Sequence, residues 1–359
     1  MKTTKRKNSG VQFIGLDIGD RYSHYCVRDA SGKILAQART ASTIPGLTKA
    51  FESMKGCKLL MEVGTHSPWM QRFLRTMDID ARVCESRAAA ELNKHGRKTD
   101  ARDAEILSEL LRTNSALVTL IEHRSQEQQA IWAQIEARSL LVKTRTILIN
   151  SARGMVKSAG DRLSSTASNA FNGKTWSEVP EALRPALAPI YTEIASLTKS
   201  INEFDTKIEK AIQDLYPQDT ENLTEIPGVG TLTAAAFLLA LGNSERFAKP
   251  RDVGAYFGLV PKKRASGDVD PQLGISKRGN GLVRRLLVSS AQYILGPFNK
   301  TDTDLSRFGM SIQGRGSDSR RKRRAVVAVA RKLSVVMAAM VMNKTKYRRL
   351  RAKEQPVPA

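Results

Sequence analysis

Four carboxylates and one serine are the residues of this chain whose types and spacing best suit chemistry. Asp17 ends a first strand-like run, in Gly15-Leu16-Asp17-Ile18-Gly19, and Glu62 sits in a later one, Leu60-Met61-Glu62-Val63-Gly64. A carboxylate within an apolar strand is costly to bury without compensation, and a bound cation supplies it. Asp100 and Asp103 stand three apart in Lys98-Thr99-Asp100-Ala101-Arg102-Asp103-Ala104, which puts both on one face of a helix. Two strand acids and two helix acids can surround a pair of Mg²⁺ ions, which take oxygen ligands and keep positions open for phosphate and water. A pair of such ions activates an attacking oxygen and stabilises a leaving one. Taken singly, each acid has a plainer role: Asp17 as a strand-end residue, Asp100 and Asp103 as helix-start charges that suit the macrodipole.

Further along, Ser266-Gly267 lies on a polar stretch between basic clusters, with Lys277, Arg278, Arg284 and Arg285 following. Serine is a weak nucleophile until a base or metal activates it. On residue type alone, Ser266 and Ser276 are equivalent. Upstream, Ile226-Pro227-Gly228-Val229-Gly230 separates two helical runs. This is a helix-hairpin-helix signal, in which backbone N–H groups around Gly228 and Gly230 would meet a nucleic-acid phosphate. The run Arg320-Arg321-Lys322-Arg323-Arg324 offers Arg321 and Arg323 as further phosphate contacts.

The elements needed to position these groups are legible in the pattern. Residues 11–19, 22–30, 33–40, 57–64 and 80–86 read as strands, with helices over 45–54, 65–77 and 100–112. That order predicts an α/β domain with one central sheet. From about 126 to 215 strand signals vanish, and two long helices flank a Gly/Ser/Asn-rich stretch between Gly160 and Gly173. The second helix carries a seam at threes and fours: Leu183, Leu187, Ile190, Ile194, Leu197, Ile201, Phe204, Ile208, Ile212 and Leu215. Such a seam serves a coiled coil between chains or a hairpin within one. Pro185 and Pro189 weaken its first turn. Beyond Leu223 the chain reads as mostly helical and ends in a basic tail.

Composition narrows the partner. The 359 residues carry 58 Lys and Arg against 35 Asp and Glu, a net +23. Residues 300–359 alone hold 16 cationic side chains and 4 acids. This excess points to nucleic acid, whose phosphates supply most sequence-independent affinity. With 41% hydrophobic residues the chain can bury a real core. Cys26, Cys57 and Cys84 fall in apolar runs without metal spacing, so they read as small core residues in a reducing cytoplasm. No signal-peptide pattern follows the basic start, and Arg331 with Lys332 interrupts the longest apolar stretch, so no membrane association is expected. The Gly15–Asp20 run also matches the first phosphate loop of actin-like ATPases, but the second glycine-rich acidic loop those proteins need is missing.

In combination, GLDIG, MEVGTHSPW, RKTDARDAEILSEL, IPGVG, RFAKPRDVGAYFGLVP and SG…GISKRGNGLVRRLL resemble the DEDD transposases of insertion sequences, the IS110 family. The resemblance spans nearly the whole chain. It implies a ribonuclease-H-like (RuvC-like) nuclease domain over 11–115, in which Asp17, Glu62, Asp100 and Asp103 bind Mg²⁺. It further implies a helical coiled-coil segment over 120–218 and a helical C-terminal transposase domain over 219–353. There Ser266 would attack a DNA phosphate. Partners implied are donor and target DNA, a bridge RNA that does the sequence reading, and other copies of the chain in a dimer or tetramer, with acids of one subunit meeting Ser266 of another. The setting implied is the prokaryotic cytoplasm, at the nucleoid when bound. The family carries a Lys or similar polar residue soon after Asp17, where this chain has Asp20-Arg21-Tyr22-Ser23-His24. The competing expectations are a structure-specific nuclease that uses the same acids and water, and a non-enzymatic nucleic-acid binder.

Overall fold

The computed structural model describes residues 11–85, 99–113, 119–262, 273–314 and 318–350. The chain divides into two compact units at Arg124/Ser125.

The first unit is a six-stranded sheet with helices on both faces. Its elements are β1 (Phe13–Asp17), β2 (Tyr22–Arg28), β3 (Ile34–Ala41), α1 (Ile44–Phe51), β4 (Lys58–Glu62), α2 (Ser67–Thr76), β5 (Asp80–Cys84), α3 (Asp100–Thr113) and β6 (Leu120–Ile121). Strand order is β3-β2-β1-β4-β5-β6. The β1–β2–β3 meander is antiparallel, β4 and β5 add parallel to β1, and β6 closes the edge antiparallel. Side chains alternate between faces along each strand. One face carries Ile14, Leu16, Leu59, Met61, Ala81 and Val83, which pack under Leu47 and Phe51 of α1 and Met70 and Leu74 of α2. Fully burying each of the Ile, Leu, Met, Val and Phe side chains here contributes about 1.5–3 kcal/mol. The other face carries Phe13, Leu60 and Cys84 beneath Leu107, Leu110 and Leu111 of α3. Asp17 and Glu62, in phase with Phe13 and Leu60, belong to this second face.

The second unit is helical: α4 (Gln126–Ser158), α5 (Phe171–Thr175), α6 (Arg184–Leu215), α7 (Pro217–Thr224), α8 (Thr231–Leu241), α9 (Asp252–Tyr256), α10 (Gly281–Leu295), α11 (Asp304–Gln313) and α12 (Ser319–Asn343). A capping box between Ser125 and Gln128 starts α4. The leucine/isoleucine seam of α6 is spent within the chain. Ile208 and Ile212 are buried with Ile131, Trp132 and Ile135 of α4, whereas Leu187 and Ile194 join Ile149, Ala152 and Phe171 in a separate cluster. Between these clusters the hairpin is polar, with Arg138 bound to Asp205 and Arg145 donating to Thr198. Pro185 lies in the first turn of α6, where no N–H is needed, and the helix continues through Pro189.

Helix α8 is buried almost throughout and forms the centre of the C-terminal bundle with α10 and α12. In length and composition α12 could cross a membrane despite Arg331 and Lys332, and half of its apolar window is buried inside the unit. Val329, Ala330, Leu333 and Met337 have no exposure, so bundle packing accounts for its apolarity. Cys26, Cys57 and Cys84 are buried free thiols, as their apolar settings predict.

Candidate active site and nucleic-acid interface

Asp17 ends β1 and Glu62 ends β4, and these strands are neighbours running in parallel. Their register pairs Leu16 with Met61, so its next step sets Asp17 beside Glu62 at the same end of the sheet. Across the other side of β1, Asp17 pairs with His24 of β2. Asp100 opens α3 and reaches His24, with Oδ2 3.7 Å from Nδ1. Asp103 follows in the first turn of the same helix. Two strand ends and one helix start thus bring all four predicted acids to one end of one sheet face. Among the described residues, no three Asp, Glu, His or Cys side chains gather closely enough to ligate a single ion.

Gly15 allows α3 to lie where it does. A Cβ at this position would stand 2.0 Å from the Ala104 carbonyl oxygen, 2.4 Å from the Ser108 nitrogen and 2.9 Å from Leu107 Cβ. The helix backbone therefore rests directly on β1, one turn from Asp100 and Asp103. Polar ties fix it along its length. Arg28 Nε donates to Ser108 Oγ at 3.0 Å, and Gln37 Nε2 donates to Glu105 Oε1 at 3.1 Å. Burial pushes the Glu105 carboxyl up, but the Arg102 and Gln37 hydrogen bonds together with the Arg102 and Arg28 charges outweigh it and hold the group below the usual carboxylate range.

The field of Glu62 is felt at Cys84, its partner across β4 and β5. Burial, reinforced by the Glu62 charge, pushes that thiol up to about 12. Nearby, His66 Nε2 lies 3.5 Å from the exposed Asp20 carboxylate. His24 was not legible as part of the site. Its signal is its even-numbered phase with Cys26 and Arg28, which puts it on the acid face once β2 is paired with β1.

In the second unit, α7, the Ile226–Gly230 turn and α8 form a helical hairpin. Ile226 and Val229 are buried and anchor it, and Val229 N–H donates to the Ile226 carbonyl at 2.9 Å. Gly228 takes a φ of +83°, and a Cβ there would stand 2.9 Å from the Tyr293 ring and 3.0 Å from the Ser290 carbonyl. Glycine is thus required both by the backbone and by the close approach of α10. Gly230 caps the start of α8, and its surroundings are open to a Cβ.

Ser266 lies outside the described residues. The flanks of its segment are joined by a bridge between Pro261 and Ile275 and by the Lys262 N–H donating to the Gly274 carbonyl at 3.0 Å. Lys277 and Arg278 follow this clamp, and both are exposed. Ser276, equivalent to Ser266 by residue type, sits in the clamp itself, its N–H donating to the Val260 carbonyl. Arg284 is engaged internally, donating to the Phe257 and Arg278 carbonyls at 3.0 and 2.8 Å. Arg285 is exposed, and among the described residues its side-chain hydrogen bond is a long one to Ser139 at 3.4 Å. Arg321 and Arg323 lie on the exposed first turns of α12, beside Asp318 and Ser319. The predicted basic residues thus divide into one brace, Arg284, and several solvent-facing cations.

Two family models match the chain. One, described as a transposase and of the IS110 DEDD type, covers residues 14–160. The other, described as the transposase IS116/IS110/IS902 family, covers residues 220–304. The transposase for insertion sequence element IS1111A of Coxiella burnetii is 28% identical over 97% of this chain and 94% of its own length. The transposase for IS1328 of Yersinia enterocolitica is 26% identical, over 79% of this chain and 83% of that protein. A probable family 20 transposase of Pseudomonas aeruginosa is 27% identical, over 83% and 88% respectively.

Proposed function

Since the chain belongs to the IS116/IS110/IS902 transposase family, we propose that it cuts and rejoins DNA with Asp17, Glu62, Asp100 and Asp103 as Mg²⁺ ligands and Ser266 as nucleophile. The observation that carries this reading is the meeting of two parallel strand ends and the first turn of α3 at one end of the sheet. An antiparallel meander continued by parallel strands, with α3 over the acid-bearing face, favours the ribonuclease-H-like (RuvC-like) class for the first unit. The α7–turn–α8 hairpin, with Gly228 and Gly230, is assigned as a helix-hairpin-helix contact to nucleic-acid backbone.

The donor set is all carboxylate oxygen, which fits a hard divalent ion such as Mg²⁺. When bound, such ions would offset negative charge on the attacking and leaving oxygens. The remaining work falls to the chain. His24 lies beside Asp100 and orients its carboxylate towards the strand ends. Gly15, Arg28 and Gln37 hold α3 in place. Ser266 Oγ loses its proton and forms a bond to the DNA phosphorus. One backbone P–O ester bond breaks, and its oxygen keeps the electron pair and takes up a proton. The ester is thereby preserved as phosphoserine, so a second DNA hydroxyl can reverse the step without external energy. Lys277, Arg278, Arg285, Arg321 and Arg323 contact phosphates. A bridge RNA supplies sequence reading, and the active form is a dimer or tetramer.

The test uses the full chain with Mg²⁺, the element's end DNA and its flanking noncoding RNA, resolved on a denaturing gel. A protein–DNA adduct is expected, and it should vanish in both Ser266→Ala and Asp17→Asn. Cleavage without adduct that persists in Ser266→Ala would make the chain a hydrolytic nuclease. Binding without any cleavage would remove the catalytic reading altogether.

A further inference from the structure

A cleft of about 260 Å³ opens in the second unit between α4 and α10, at the start of α8. Its floor is apolar: Leu232, Leu282 and Leu286 are half-buried there and rest on the bundle core. Its rim is cationic. Arg138 is matched by Asp205, at 2.8 and 3.1 Å. Lys143 and Arg285 line the same cleft, are exposed, and make no ion pair among the described residues. Ser139 and Ser289 add hydroxyls between floor and rim.

These features together select a class of ligand. A free phosphate or carboxylate would use the cations and leave the leucines wet. An apolar partner would use the leucines and leave two cations desolvated, which is costly. A nucleotide satisfies both, with a flat base on the leucines, its edge on the serine hydroxyls and its phosphates at Lys143 and Arg285. At about 260 Å³ the cleft is smaller than the ~300–1,000 Å³ of drug-sized sites, so it suits one base and not an extended segment. Stacked bases inside a duplex cannot enter such a cleft, so the occupant must be unpaired.

We propose that this cleft holds a single unpaired nucleotide of the DNA substrate. Strand exchange frees bases beside the break before they find a new complement, and a slot for one of them keeps the strand end in place meanwhile. The choice of DNA rests on the strand-exchange reading above; the cleft itself does not.

The experiment measures binding by the full chain in EDTA, so that no cleavage contributes. Three DNA duplexes of one sequence are compared: fully paired, with one bulged thymine, and with the bulged base replaced by an abasic residue. The thymine bulge should bind on the order of tenfold tighter than the abasic bulge, the scale of one stacked base. Val142→Trp, which fills the cleft from α4, should abolish that difference while leaving affinity for the abasic duplex. A 4-thiothymine at the bulge should crosslink the unaltered chain within residues 139–143 or 282–289. Equal affinity for the two bulges, a difference that survives Val142→Trp, or a crosslink elsewhere would overturn the proposal. Base dependence seen with bulged RNA duplexes and not with DNA would overturn the assignment to DNA. Because no cleavage is needed, these outcomes are independent of whether Ser266 or the four acids act as proposed.

Discussion

Replacing Gly15 by alanine tests how the acids are brought together. The added Cβ would sit 2.0 Å from the Ala104 carbonyl oxygen, whereas ordinary contact begins at 3.4 Å. The obstacle is backbone, so no side chain can rotate away, and α3 must retreat from β1 by more than an ångström. Overpacking of this kind costs about 1–3 kcal/mol of stability. The same retreat carries Asp100 and Asp103 away from Asp17 and Glu62, and a misplacement of about 1 Å can cost on the order of 10²-fold in rate. Gly64→Ala is the matched control, because a Cβ at Gly64 meets nothing within 4 Å. Thermal unfolding and adduct formation on end DNA would be measured for both variants. Gly15→Ala should unfold at lower temperature and lose far more activity than its lost stability explains, whereas Gly64→Ala should resemble the parent. Parental stability and activity in Gly15→Ala would refute the claim that α3 is seated by contact at this glycine.

Three further outcomes follow from the same geometry. Burial, together with the nearby Arg72, Arg124 and Arg75, lowers the His123 imidazole below its ordinary range. The unfolded chain therefore takes up this proton first, so stability should fall as pH drops through about 6.5. Urea midpoints at two pH values should show a smaller loss in His123→Gln than in the parent. The Cys84 thiol, raised to about 12, and the buried Cys26 and Cys57 should resist iodoacetamide at mildly alkaline pH until urea is added. Rapid labelling of Cys84 in the folded protein would contradict its burial beside Glu62. For DNA binding, Arg321→Ala with Arg323→Ala should lower the slope of log affinity against log salt by about 1.8 if each contacts one phosphate. An unchanged slope would place the phosphate contacts elsewhere.

The strands and helices of the first unit are legible because buried runs, turns and amphipathic stretches alternate clearly from Phe13 to Thr113. β6 escaped notice because two residues, Leu120 and Ile121, are too few to show a period. The four acids could be named from residue type and spacing, but their meeting depends on strand order, which no local pattern carries. His24 illustrates this: only pairing of β2 with β1 brings it beside Asp17 and within reach of Asp100. The seam on α6 shows a different ambiguity. Positions such as Ile208 and Ile212 would look the same whether their partner were α4 or another chain, and the structure gives them to α4. Arg284 and Arg285 are indistinguishable as adjacent letters, yet a helix turns neighbours about 100° apart. One became a brace for the loop at Arg278, and the other faces solvent.

The two-helix hairpin also has a length. Helices of 33 and 32 residues rise about 1.5 Å per residue, giving a rod close to 50 Å long. One turn of B-form DNA is about 34–36 Å. The rod is thus longer than a full turn of the duplex, and its two ends are held by different apolar clusters with a polar middle between them. A body of that kind has the geometry of a spacer. It would set a fixed interval between anything seated at the Phe171 end and anything seated at the Trp132 end, and inserting or deleting residues in α4 and α6 together would change that interval in steps of a helical turn.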